Sequence, residues 1–154
     1  RVYGNAWVYG NAQVSGDAQA SGDARVYGNA QVSGTAQASG TARVSGTARV
    51  YGNAWVYGNA QVSGDARASG TARVSGTARV YGNAWDKSPM QIQGTKHFIN
   101  ECKKGILKIG CFEFSFSEWL KNYKKIGKEN GYSEAEIKEY KLYIDLAIKL
   151  SKLK

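Results

Sequence analysis

Four side chains in the second half of the sequence could act together: His97, Cys102, Cys111 and Glu113. An imidazole, two thiols and a carboxylate are all metal donors, and a thiol beside an imidazole is the usual pair for a sulfur nucleophile. Their spacing argues against both uses. Steps of five, nine and two residues fit no zinc pattern, and nothing in the sequence brings His97 to either cysteine. Cys102 and Cys111 could face each other across a hairpin, but two thiols in a Lys-rich chain of intracellular type are expected to stay free. No catalytic, cofactor-binding or metal-ligating residue is assigned. Lys103, Lys104, Lys121, Lys124 and Lys125 read most simply as a solvated face.

The first half offers different chemistry. Residues 1–84 contain no His, Cys, Glu or Lys, and their carboxylates are limited to Asp17, Asp23 and Asp65. A general base, a thiol and a ligand cluster are all missing, so an enzyme is not expected. Seven Arg remain. Arg25 with Arg43, and Arg49 with Arg67, form ladders if each coil of the chain takes three hexads. With interleaved Tyr they could hold a polyanion, in a salt-sensitive way. The plainer reading is that Arg and Gln keep the surface soluble and discourage lateral sticking. Trp7 with Tyr9 and Tyr27, and Trp55 with Tyr57, are candidate aromatic clusters of the kind enriched at protein interfaces. A carbohydrate platform is the lesser alternative. Thr35, Thr41, Thr47, Thr71 and Thr77 sit at turn positions interrupted by Asn and Asp. They read as turn formers rather than as a flat ice-binding array.

The chain has 154 residues and a net charge of +9. All seven Arg precede position 85 and all fourteen Lys follow it. Fourteen of the nineteen Gly lie in the first half, while all four Phe, both Cys and the single His, Met and Pro lie in the second. So abrupt a change predicts two modules, residues 1–85 and 86–154. No apolar run approaches the roughly 18 residues that a membrane helix needs.

What positions these residues in the first module is a repeat. Residues 1–84 are fourteen consecutive hexads without insertion or deletion. Position one is Arg, Gln or Trp; position two is Val, or Ala at Ala20, Ala38 and Ala68; position three is Tyr or Ser; position four is always Gly; position five is Asn, Asp or Thr; position six is always Ala. Alternation of apolar and polar residues within each hexad predicts a short strand, and Gly followed by Asn, Asp or Thr predicts a turn. A helix is excluded, because Gly at every sixth residue would cost about 1 kcal/mol each relative to Ala. One such strand cannot bury its apolar side, but stacked coils can, by laying Val on Val and Ala on Ala.

Runs such as Val8-Tyr9-Gly10-Asn11-Ala12 resemble the hexapeptide-repeat left-handed β-helix family, in which an aliphatic residue is followed four positions later by a small one. Val8 with Ala12, Val14 with Ala18 and Val26 with Ala30 carry the pattern. The resemblance implies a left-handed triangular solenoid with three hexads per coil. It also implies a family whose functions span acyltransferases, carbonic anhydrases and plain scaffolds. Those enzymes draw on His residues and projecting loops that residues 1–84 lack.

The copies within the repeat argue against a fixed site. Residues 1–18 recur at 49–66 and residues 42–55 recur at 72–85, offsets of eight and five hexads, neither a multiple of three. Copied residues therefore land on different faces of the prism, Trp7 on the second and Trp55 on the first.

In the second module His97-Phe98-Ile99 and the run from Ile106 to Phe116 predict strands joined by a turn at Lys104-Gly105. Ser117 before Glu118 predicts a helix start, and Asn130-Gly131 its end. Ser133 with Glu136 predicts a capping box for a second helix, whose buried stripe is Tyr140, Ile144 and Ile148 with Ala147. Gly94-Thr95-Lys96, Lys104-Gly105-Ile106, Gly110-Cys111-Phe112 and Ser117-Glu118-Trp119-Leu120 resemble a small C-terminal module that follows hexapeptide arrays in bacterial and phage-encoded proteins of unassigned function. Phe114 and Ser115 depart from it where a Gly-containing turn is expected.

The fold expected is a mainly β protein: a left-handed parallel β-helix, then a small α/β cap of a β-hairpin and two helices. The function expected is a non-enzymatic structural or assembly scaffold that forms a homodimer through its uncapped first coil or through the aromatic clusters. The alternatives are a polyanion- or glycan-binding module and, behind it, a degenerate acyltransferase. No cofactor and no membrane partner is expected, and the setting implied is cytoplasm or a phage particle.

Overall fold

The computed structural model describes residues 1–82, 84, 85 and 88–153. Asp86 and Lys87, the first residues of the expected second module, lie outside the described residues. The chain divides into two compact units, Arg1–Pro89 and Met90–Lys154.

The first unit is a parallel β-solenoid with three faces. The first face carries the strands Gln19–Ala20, Gln37–Ala38, Trp55–Val56 and Arg73–Val74. The second carries Trp7–Val8, Arg25–Val26, Arg43–Val44, Gln61–Ser63 and Arg79–Tyr81. The third carries Gln13–Val14, Gln31–Val32, Arg49–Val50, Arg67–Ala68 and Ala84–Trp85. Each hexad turns one corner, so every strand meets the one three hexads later: Arg25 lies beside Arg43, and Val26 beside Val44.

Backbone hydrogen bonds tie the coils. The position-one N–H donates to the position-six carbonyl of the next coil, at 2.8 Å from Arg25 to Ala42 and 2.9 Å from Arg43 to Ala60. The corners form their own ladder, with Asn29 N–H donating to the Gly46 carbonyl at 2.8 Å. Thr hydroxyls reinforce it: Thr35 and Thr47 reach the carbonyls of Gly52 and Gly64 at 3.0 and 3.1 Å. This is the turn role expected of them. Inside, Val26, Val32, Val44, Val50, Val56, Val62, Val74 and Val80 are fully buried on a lattice of fully buried Ala. Each Val contributes about 1.5–3 kcal/mol, and each ladder bond about 1 kcal/mol net.

The corner glycine is obligatory for two separate reasons. Gly46 has φ +67, a left-handed backbone that costs an L side chain about 1–2 kcal/mol. A Cβ there would also sit 3.0 Å from the Gly64 backbone nitrogen of the next coil.

The repeat ends with a slip of one residue. Arg67 pairs with Ala84 and Ala68 with Trp85, one residue short of the three-hexad interval kept elsewhere. The Ser69 N–H accordingly donates to the Trp85 carbonyl, at 2.7 Å. Because strand side chains alternate between faces, a one-residue slip turns Trp85 inward. It is 3 % exposed, whereas Trp55, at the same place in an identical local sequence, is 41 % exposed. The hexad rule places Trp outward and is corrected here.

The second unit is a four-stranded antiparallel meander followed by two helices. Its strands are Gln91–Gln93, Phe98–Lys103, Ile106–Ile109 and Phe112–Ser115, paired in that order. The expected hairpin is thus larger. The run from Ile106 to Phe116 is broken by the two-residue turn Gly110-Cys111, with Ile109 paired to Phe112 and Gly110 at φ +58.

Helix α1 spans Phe116–Glu129 and α2 spans Glu134–Ser151. The cap of α1 is Ser115 rather than Ser117. From position 115 the hydroxyl accepts the Glu118 N–H while the Glu118 carboxylate accepts the Ser115 N–H, and only that spacing closes the reciprocal box. Ser133 and Glu136 close the same box on α2. The core gathers Met90, Ile99, Leu107, Ile109, Trp119, Tyr140, Ile144 and Ala147, while Ile148 is only half-buried. Among the described residues no helix is long and apolar enough to cross a membrane.

The corner geometry can be tested with a pair of glycines. Gly46→Ala should lower the urea midpoint of the solenoid more than Gly64→Ala does. Gly64 has a similarly positive φ, +59, but among the described residues nothing lies within 4 Å of a Cβ there, so it suffers chiefly the backbone term; equal losses in the two variants would show that coil spacing imposes nothing extra.

The helix caps make the second unit sensitive to acid. Hydrogen bonds from Ser115 to Glu118, from Ser133 to Glu136 and from Thr95 to Glu139 hold these carboxyls below their ordinary 4.5. Groups with depressed folded values stabilise the fold above the unfolded pKa, and that contribution disappears as pH falls through the folded values. Helical circular dichroism should therefore fade as the pH drops below about 4.5, and Glu139→Gln should make the fading shallower. An unchanged acid profile in that variant would contradict the assignment.

Candidate interaction surface

Outward residues of the solenoid form columns, because positions one and three project from successive coils in register. On the second face Trp7, Arg25, Arg43, Gln61 and Arg79 make one column. On the third, Gln31, Arg49 and Arg67 are consecutive. On the first, Gln37, Trp55 and Arg73 are consecutive.

The Arg pairs predicted from sequence are therefore direct neighbours, Arg25 with Arg43 and Arg49 with Arg67. They lie on two different faces, so no single surface gathers all four. Among the described residues no carboxylate forms an ion pair with any of them. Stacked like charges without counter-charge raise the local positive potential, which favours an anionic guest.

The aromatic clusters also separate by face. On the second, Tyr9 and Tyr27 stack with centroids 5.2 Å apart and an interplanar angle of 4°. Trp7 beside them is 65 % exposed. Each of the two stacked rings covers one π-face of the other. On the first face Trp55 and Tyr57 meet edge to face at 6.4 Å. Arg73 from the next coil lies over the Trp55 ring at 5.4 Å. Sequence reading missed this cation–π contact, although the three-hexad interval between Trp55 and Arg73 marks it.

Residues 1–16, 18–34, 42–58 and 48–64 match the model of the YdcK beta-solenoid repeat family. All four segments lie in the first unit, the parallel β-solenoid. No curated protein and no solved structure matches the chain. The likeness concerns the coil itself, whose position two is Val or Ala in every hexad of this chain.

The metal-capable side chains of the second unit are dispersed. Cys102 is buried in the irregular part of the strand Phe98–Lys103 and Cys111 is exposed in the Gly110-Cys111 turn; no disulfide joins them. They do not face each other across the hairpin, because Ile106 and Leu107 occupy the positions opposite Cys102. Glu113 pairs with Lys108 at 2.9 Å. Among the described residues no three His, Cys, Asp or Glu side chains gather into a metal site.

His97 and Cys111, which nothing in the sequence associates, do share the rim of one pocket of about 270 Å³. The signals for it in the sequence were Gly110 and Gly127 among a dense set of aromatics, and they were not read as such.

Proposed function

We propose that this solenoid protein is a non-enzymatic structural scaffold: a stiff spacer that self-associates as a homodimer through its outward aromatics, in a bacterial cytoplasm or a phage particle. The observation that carries the reading is the migration of copied segments between faces. Trp7 and its copy Trp55 lie on the second and first faces, while the inward Val and Ala keep their places in every coil. A dedicated catalytic surface needs fixed residues on a fixed face. A spacer needs only the inward lattice and an uninterrupted backbone ladder.

Exposed aromatics beside Arg supply the adhesive. Trp7, Tyr9 and Trp55 are 65 %, 46 % and 41 % exposed, and burying aromatic surface of this kind dominates interface energetics. Sedimentation equilibrium should give a dimer for the unaltered chain. The combined variant Trp7→Ser, Tyr9→Ser and Trp55→Ser should be monomeric with an unchanged far-ultraviolet spectrum. An unaltered chain that stays monomeric at the highest attainable concentration would remove self-association from the proposal.

A second reading, polyanion binding, is favoured by the in-register Arg pairs. Retention on a heparin column should fall steeply with salt, and Arg25→Gln with Arg43→Gln should elute earlier than wild type. Retention that is insensitive to salt, or the same in the variant, would exclude the second-face Arg column as the binding surface.

A further inference from the structure

The second unit holds a pocket lined mostly by aromatic and aliphatic side chains. At about 270 Å³ it exceeds the roughly 150 Å³ apolar cavity that accepts a benzene ring and lies just below the size at which small-molecule sites begin, about 300 Å³. Its floor is Trp119, Ile137, Tyr140 and Ile144, all buried. His97 and Cys111 stand exposed at its mouth, with Tyr132 half-buried beside them.

The polar atoms of the floor are already engaged elsewhere. The Trp119 Nε1–H donates to the Leu107 carbonyl at 2.7 Å. The Tyr140 hydroxyl accepts the N–H groups of Lys96 and His97 and donates to the His97 carbonyl. A guest entering the pocket therefore meets ring faces and aliphatic carbon below. The polar groups lie at the entrance.

The entrance is held by close approaches. Tyr140 fixes the backbone of Lys96 and His97 through the three bonds just named. Gly94 makes room for it, since a Cβ there would come within 2.6 Å of the Tyr140 hydroxyl oxygen. The His97 ring lies against Gly110, where a Cβ would be 3.1 Å from the imidazole carbons, and it meets the Tyr132 ring at a centroid distance of 5.9 Å. Burial, reinforced by Tyr140 and Glu136, pushes the Tyr132 phenol up to about 12, so it stays neutral at physiological pH.

An apolar floor excludes an ionic guest, because a charge placed there would lose its hydration without a partner. A purely apolar guest would leave the imidazole and phenol at the mouth unused. We propose that the second unit binds a small neutral aromatic molecule carrying a single hydrogen-bond donor, its ring between the floor residues and its donor on the His97 imidazole. This is independent of the scaffold reading, which concerns the solenoid alone.

The test uses the full chain and indole as probe, with indene as the same shape without the N–H. In a nuclear magnetic resonance titration, indole should shift Ile109, Cys111, Trp119 and Tyr132 saturably and leave residues 1–82 unmoved. Indene should bind the same residues about five-fold more weakly, the worth of one neutral hydrogen bond. Cys111→Trp, a change at an exposed turn, should abolish the shifts while circular dichroism stays the same. Pyrene, too large to enter, should leave the resonances of the unaltered chain in place and so tests the pocket without any substitution. No saturable shift with indole, shifts that persist in Cys111→Trp, or equal movement with pyrene would overturn the site. Equal affinity for indole and indene would overturn the role of His97.

Discussion

The interval between coils is the constraint on which the solenoid rests. With three hexads to a coil, the N–H of position one meets the position-six carbonyl of the following coil, and each Val or Ala at position two lies on its counterpart there. Both registers must hold at once. An inserted residue would preserve neither, since it would break the ladder and turn the following side chains to the other face. The absence of insertions through fourteen hexads is the sequence expression of that coupling. The enclosed interior also explains why position two admits only Val and Ala, while positions one and three range from Ser to Trp.

This division made the first unit legible. A pattern repeated fourteen times averages out local ambiguity, so its inward set is readable from the letters, while the three faces and the coil length follow from the family resemblance. The second unit was readable only where chemistry is local. The box of Ser133 and Glu136 closes within one helical turn and was found. The helix start was misplaced to Ser117, because both serines precede acceptable helix sequence and only the reciprocal bond with Glu118 chooses Ser115. The turn at Gly110-Cys111 was hidden inside an apolar run whose alternation continues on both sides of it.

The two candidate sites differ in the same way. The Arg and aromatic columns follow from arithmetic on residue numbers once the resemblance supplies three hexads per coil, so Arg25 could be placed beside Arg43. What arithmetic could not supply was ring orientation, such as the parallel stacking of Tyr9 on Tyr27. The pocket depends on contacts between residues far apart in the chain, such as Tyr140 with His97 across 43 positions. No periodicity encodes such a meeting.

Trp85 shows where a periodic code stops being self-sufficient. Residues 42–55 and 72–85 are spelled identically, yet the first segment hands on to another rung and the second plugs the shaft with its final indole. The instruction to halt is therefore not written in those letters; it comes from whatever is spelled afterwards. Length in such an architecture is a free variable, adjustable in whole rungs upstream, with the stopper carried along unchanged.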